Sequence, residues 1–326
     1  MHLARSVAAM VVLSCIALLA LTACSGAAPR PTTLLTPDAR GASAASSATA
    51  PLASTFPLTV TDSSGTAVTL NVAARAIVSH SPGATEILFA IGAGSQVIAA
   101  DEFSDFPTAA KALKKVKYSD PNPEAEVALQ PDLVILATNQ KGMVDAFRKL
   151  GLPVLFNQEP DSLDGVLGNV RLLGRLAGRT AEADALATQM QARISAVTSK
   201  VGDVQQGPTV FYELSDTLYS AAPNTFIGGM LSALKARNIA QGATSPFPQL
   251  TAEAVIAAGP EVILLADAKF GGAPEQVRAR PGWAVIPAVK HDRLHPVDPD
   301  VMNRPGPRVV EGMEQMARLL YPDRFR

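Results

Sequence analysis

The sequence predicts an α/β protein of two Rossmann-like lobes joined by a single long helix, with a ligand cleft between the lobes. Three observations predict it. First, one unit occurs twice: NPEAEVALQPDLVILA (122–137) and TAEAVIAAGPEVILLA (251–266) align without a gap at an offset of 129. Each copy reads as a short capped helix, a Pro-acid turn and a buried strand, and Asp132 and Glu261 share a register. That spacing is too long for a solenoid, whose repeats run roughly 20–50 residues. Second, strand and helix patterns alternate on both sides of the chain's middle, as parallel α/β sheets require. Third, an amphipathic stretch at 161–178 carries Leu163, Val166, Leu167, Val170, Leu173 and Leu176 at helical spacing. It leaves one lobe where a second helix, ending near residue 200, enters the other.

The chain divides accordingly. Residues 1–23 have Arg5 ahead of an apolar run and end in Leu21-Thr22-Ala23, the pattern of an export signal. The sequence Leu-Thr-Ala-Cys resembles the lipobox of bacterial lipoproteins, which would make Cys24 the lipid-bearing first residue. Cys15 would leave with the signal. No cysteine follows Cys24, so the mature chain has no intramolecular disulfide and no cysteine nucleophile. Residues 24–55 are Ala, Ser, Thr and Pro without period. Such a segment buries too little to offset its ordering entropy, and as a coil of about 30 residues it would span roughly 30 Å. The first lobe is placed at 56–160, the interlobe helix at 161–178 and the second lobe at 179–326.

The elements follow in order. FPLTVTD and AVTLNV form a hairpin around Ser63-Ser64-Gly65. AIVSH is a strand, after which Ser81 caps a helix with Pro82 at its first position. QVIAAD is the next strand, KALKKVKY leads to the first repeat copy, and MVDAFRKLG is a helix before the strand PVLFN. The break at Gly178-Arg179-Thr180 separates the two middle helices. PTVFYEL opens the second sheet, FIGGMLSAL is its helix, and the second repeat copy follows. AVKHDRLHPVD reads as a strand, and a helix from Pro307 to Leu320 closes the chain.

With 326 residues, 17% charged, 48% hydrophobic and a formal charge of −1, the chain gives no reason to expect nucleic acid, which would call for a basic face. It contains no G-x-S-x-G elbow, metalloprotease helix motif or phosphate loop. An exported α/β hydrolase is therefore the weakest of three classes. A zinc- or manganese-binding protein is the second, and it would use His80, His291 and His295. His80 ends a strand before a cap, and the other two flank Asp292-Arg293-Leu294, so all three are expected to face solvent.

The leading class comes from a resemblance. SPGATEILFAIG, DEFSDFP, NPE…ALQPDLVI, PNTFIGGMLSALKARNIA, LTAEAVIAAGPEVILLAD, RPGWAVIPAVKHDRLHPVD and NRPGPRVVEGMEQMARLL occur in that order over 75–322. Together they resemble the substrate-binding lipoproteins of ABC importers for cobalamin, ferric siderophores and haem. DEFSDFP and DPDVMNRPGPR are most similar to the cobalamin branch. The resemblance implies two α/β lobes on one rigid helix, hence small lobe closure. It also implies a monomer without cofactor or resident metal, anchored to the membrane through lipid alone, that binds a corrinoid or ferric siderophore outside the cytoplasm. The partner would be an ABC permease with its ATPase subunits.

Site residues follow from the same resemblance. Glu124 and Glu253, second residues of their helices after Asn122 and Thr251, would dock onto permease arginines, and helix N-termini favour carboxylates in any case. Phe103, Tyr118, Tyr219 and Phe247 stand in polar or Pro-rich loops after strands and would line the cleft with aromatic faces. Asp300 and Arg304 match ligand-bonding positions of the cobalamin branch, although an Asp and Arg at that spacing also suit a local ion pair. Arg308 is expected to be structural and Trp283 to anchor a loop. Where the cobalamin branch often has a tryptophan after PDLVI, this chain has Ala137-Thr138-Asn139, which implies a wider pocket or another ligand.

Overall fold

A computed structural model describes residues 55–268, 270 and 272–326. The export signal, Cys24 and the tether up to residue 54 lie outside the described residues. A hairpin of β1 (Leu58–Thr61) and β2 (Ala67–Leu70) turns at Gly65, whose φ of 81° suits glycine. The first lobe then runs β3 (Ile77–His80), α1 (Pro82–Ala90), β4 (Val97–Asp101), β5 (Lys114–Val116), α2 (Pro123–Val127), β6 (Leu133–Leu136), α3 (Met143–Lys149) and β7 (Val154–Phe156). Its strands are all parallel in the order β5-β4-β3-β6-β7. Two helices follow, α4 (Leu163–Leu176) and α5 (Thr180–Ser199). The second lobe runs β8 (Thr209–Glu213), α6 (Phe226–Ala233), β9 (Arg237–Asn238), α7 (Ala252–Ala258), β10 (Val262–Leu265), α8 (Pro274–Ala279), α9 (Pro287–Lys290), β11 (Leu294–Pro296), α10 (Pro299–Met302) and α11 (Val309–Leu320). Its sheet, also parallel, has the order β9-β8-β10-β11. Strands β4-β3-β6-β7 and β9-β8-β10-β11 thus repeat one topology.

The duplicated sequence does the same work in both lobes. The Asp132 carboxylate accepts from the backbone N–H groups of Arg75 and Ala76 at 2.8 and 3.0 Å, just before β3. The Glu261 carboxylate accepts from Thr209 N–H at 2.8 Å, at the start of β8. Each acid therefore ties the neighbouring central strand to its own, satisfying backbone donors where the ladder begins. The preceding turn needs a left-handed residue in both copies. Gly259 supplies it at φ 54°, whereas Gln130 adopts φ 52° at the steric cost of a Cβ.

Strand alternation sends Ile77, Leu133 and Ile135 to one face and Val78, Val134 and Leu136 to the other. The first set joins Val166, Val170 and Leu173 of α4, then Tyr212 and Leu264 of the second lobe, in one continuous apolar core. α4 touches both α1 and α6, and Ser162 caps it by accepting from Gly165 N–H at 3.2 Å. The lobes share a close-packed layer as well as a covalent link, and close-packed interiors resist shear.

One segment differs from its expected form. AVKHDRLHPVD is not one strand: Pro287 starts the four-residue α9, His291 caps it, Asp292 turns at φ 54°, and β11 begins only at Leu294. Proline at a first helical position is preorganised for a helix, and that signal outweighs the apolar alternation around it.

Candidate ligand-binding cleft

The carboxyl ends of both sheets carry the exposed aromatic rings. Phe103 and Phe106 follow β4, Tyr118 follows β5, Tyr219 follows β8, Phe247 follows β9 and Phe270 follows β10. Phe103 is 54% exposed, Tyr219 42%, Phe247 46% and Phe270 80%. Rings of this size are left open at the strand ends, the place where α/β sheets commonly bind ligands. Between the lobes lies a cavity of about 680 Å³, walled by Tyr118, Phe156 and Glu159 from the first lobe and Thr225, Phe226 and Phe247 from the second.

Of the residues expected from sequence, Tyr118 and Phe247 meet here from opposite lobes. Phe103 stands behind Tyr118, edge to face at 5.8 Å between centroids, and so buttresses the ring without lining the cavity. A buried Asp101 sets the loop carrying it, accepting from Phe103 N–H at 2.9 Å and Ser104 Oγ at 2.6 Å. Tyr219 lies beside the cavity rather than on it, bridged through its backbone to Gln249. Glu159 is a wall residue the sequence reading passed over as the boundary before the long helix. It is open to the cleft, and desolvation by the surrounding protein raises its carboxyl above the ordinary value. Burial, with help from the Glu159 and Asp101 charges, pushes the Tyr118 hydroxyl up to about 12, so the phenol stays protonated and can donate a hydrogen bond.

Asp300 and Arg304 are in neither wall. They pair with each other at 2.8 Å, and Arg304 also crosses between lobes to Asp105 at 2.6 Å. Arg308 grips Glu86 of α1 in a bidentate pair at 2.9 and 2.6 Å, with its guanidinium 4.0 Å from the Phe106 ring centroid. Glu86 is only 3% exposed. Backbones meet at the same place: a Cβ on Gly83 would lie 3.0 Å from the Pro305 carbonyl oxygen, so glycine is what permits the approach. The lobes are thus joined a second time, remote in sequence from α4.

The histidines do not come together. His80 is fully buried rather than solvent-facing. It ends β3, where Nε2 lies 2.8 Å from Glu126 of α2 and the ring packs edge-on against Phe147. The corresponding position ending β8 is Glu213, equally buried and bidentate with Arg280 at 2.7 and 2.5 Å. His291 is exposed at the end of α9, and His295, part-buried on β11, is lowered by burial. Trp283 is buried against Phe211, with the Arg280 guanidinium 4.5 Å from its ring centroid, anchoring the loop as expected. Glu124 and Glu253 are exposed in the first turns of α2 and α7, capped by Asn122 and Thr251 through bonds of 3.0 and 3.1 Å. Neither forms an ion pair with a described residue.

Comparison with known proteins agrees with this architecture. A family model described as periplasmic binding protein matches residues 77–301. The chain is 33% identical over 279 residues to the uncharacterized ABC transporter substrate-binding lipoprotein YvrC of Bacillus subtilis (strain 168), which covers 83% of this chain and 88% of that protein. It is 32% identical over 284 residues to a cobalamin-binding protein of Halobacterium salinarum, covering 82% and 75% respectively. Among solved structures, the periplasmic vitamin B12 binding protein BtuF of Vibrio cholerae superposes with a TM-score of 0.67 at 27% identity, covering 76% of this chain and 97% of that one.

Proposed function

The chain belongs to the periplasmic binding protein family, and we propose that it captures a corrinoid or ferric siderophore outside the cytoplasm and hands it to an ABC importer. It is a binding protein, not an enzyme. The observation that carries the ligand class is the interlobe cavity, into which Tyr118 and Phe247 bring aromatic faces from opposite lobes. A large, partly flat chelate buries such faces efficiently. The names of the cobalamin-binding relatives support a corrinoid in particular.

The permease is engaged through Glu124 and Glu253, exposed and matched on the two copies of one repeat, a display suited to a two-fold partner. Lipid on Cys24 holds the monomeric protein at the membrane; Cys24→Ser should release it, and retention of that variant would point to another anchor. Among the described residues no helix is long and apolar enough to cross a bilayer.

Calorimetric titration with cyanocobalamin and with a ferric hydroxamate tests the ligand reading. One of them should bind at one per chain. If neither binds while zinc or manganese binds tightly, the reading is wrong.

A further inference from the structure

The polar side chains on the cavity wall have one charge sign. Glu159 and Asp161 are carboxylates, while Asn139, Gln140, Gln158 and Asn224 are amides; no described Lys, Arg or His lines the wall. The two arginines that join the lobes are each paired with acids. Arg304 sits between Asp105 at 2.6 Å and Asp300 at 2.8 Å, and Arg308 is bidentate on the buried Glu86. Lys141, next along the chain from Gln140, is 3.3 Å from Asp120. Glu159, by contrast, has no ion-pair partner among the described residues. Desolvation by the surrounding protein raises its carboxyl above the ordinary value.

A ligand entering such a cleft meets uncompensated negative charge and a set of groups that each donate and accept. Side-chain amides pair reciprocally with carboxamides and hydroxamates. A ligand carboxylate or catecholate would instead be desolvated beside Glu159 with no cation to receive it. Building on the capture reading above, we propose that Glu159, supported by Asp161, is a specificity-determining residue that admits neutral or cationic, amide- or hydroxamate-rich chelates and rejects anionic ones. A corrinoid fringed with carboxamides or a cationic ferric hydroxamate fits; haem, with its two propionates, does not.

The experiment compares pairs of ligands that differ chiefly in charge. Cyanocobalamin is set against its monocarboxylic acid, in which one propionamide is hydrolysed, and ferrioxamine B against its N-succinyl derivative, in which the ammonium becomes a carboxylate. Affinities are measured for the wild type, Glu159→Gln and Asp161→Asn, with thermal melts confirming that each variant folds. Like charges about 6 Å apart at an effective dielectric near 20 repel enough to change affinity by roughly a hundredfold, so at least a tenfold preference for the uncharged or cationic member is expected after screening. Glu159→Gln should shrink that preference several-fold, read as the ratio of the two affinities within each pair so that any general change in binding cancels. Equal binding of both members of a pair, or a preference that Glu159→Gln does not reduce, overturns this inference alone. Failure of every member to bind overturns the capture reading, and this inference with it.

Discussion

Truncating Phe247 to Ala should weaken ligand binding far more than it destabilises the fold. The ring is 46% exposed and forms part of the cavity wall, so nearly half its surface is free for a ligand to cover. Of the roughly 200 Å² that a phenylalanine presents, that leaves about 90 Å² for a ligand. At about 25 cal/mol per Å² the loss is about 2 kcal/mol, or roughly thirtyfold in affinity. Calorimetric titration of wild type and variant with the bound chelate, beside thermal melts of each, reads both quantities. A fall in melting temperature with unchanged affinity would show that Phe247 is a loop anchor and refute the assignment of the cleft wall.

Among the described residues, Arg308→Ala leaves Glu86 buried with only Arg304, at 3.6 Å, as a partner. Removing one member of a buried pair costs about 3 kcal/mol, measurable by denaturant unfolding; a loss below about 1 kcal/mol would mean the interlobe clamp contributes little. Burial pushes Glu213 up to about 7, with Asp267 adding to the rise and Arg280 opposing it. A carboxyl raised in the folded state contributes stability that is fully present below its unfolded value near 4.5 and lost as pH climbs through 7. The wild type should therefore lose roughly 0.5 kcal/mol more than Asp267→Asn between pH 6.5 and 8.5. Comparing the two cancels the opposing titration of His295, and parallel pH profiles would refute the coupling. Glu124→Ala with Glu253→Ala should keep ligand affinity and abolish uptake by cells, and normal uptake would remove the docking role.

What could be read in advance was local. Asn122 and Thr251 caps, the Pro-acid turns and the apolar strands all lie within sixteen consecutive residues, so the duplicated lobe was visible from two short matches. Tyr118 and Phe247 stood out because aromatics are unexpected in polar or Pro-rich loops. What escaped depends on distant partners. His80 ends a strand and looked solvent-facing; its burial follows from Glu126, 46 residues on, and from the Phe147 ring. Arg304 finds Asp105 199 residues away, and Arg308 finds Glu86 across 222. Glu159 gave no signal because a lone acid before a proline marks a loop, and only the opposing lobe turns that loop into a cavity wall.

The capture claim is tested most directly by the visible absorbance of the protein purified from its native host, with metal content measured on the same sample. A corrinoid or ferric hydroxamate band near one equivalent per chain, diminished in Phe247→Ala, is the expected result. Stoichiometric zinc or manganese in a protein without a visible band, unaltered by Phe247→Ala, would contradict it.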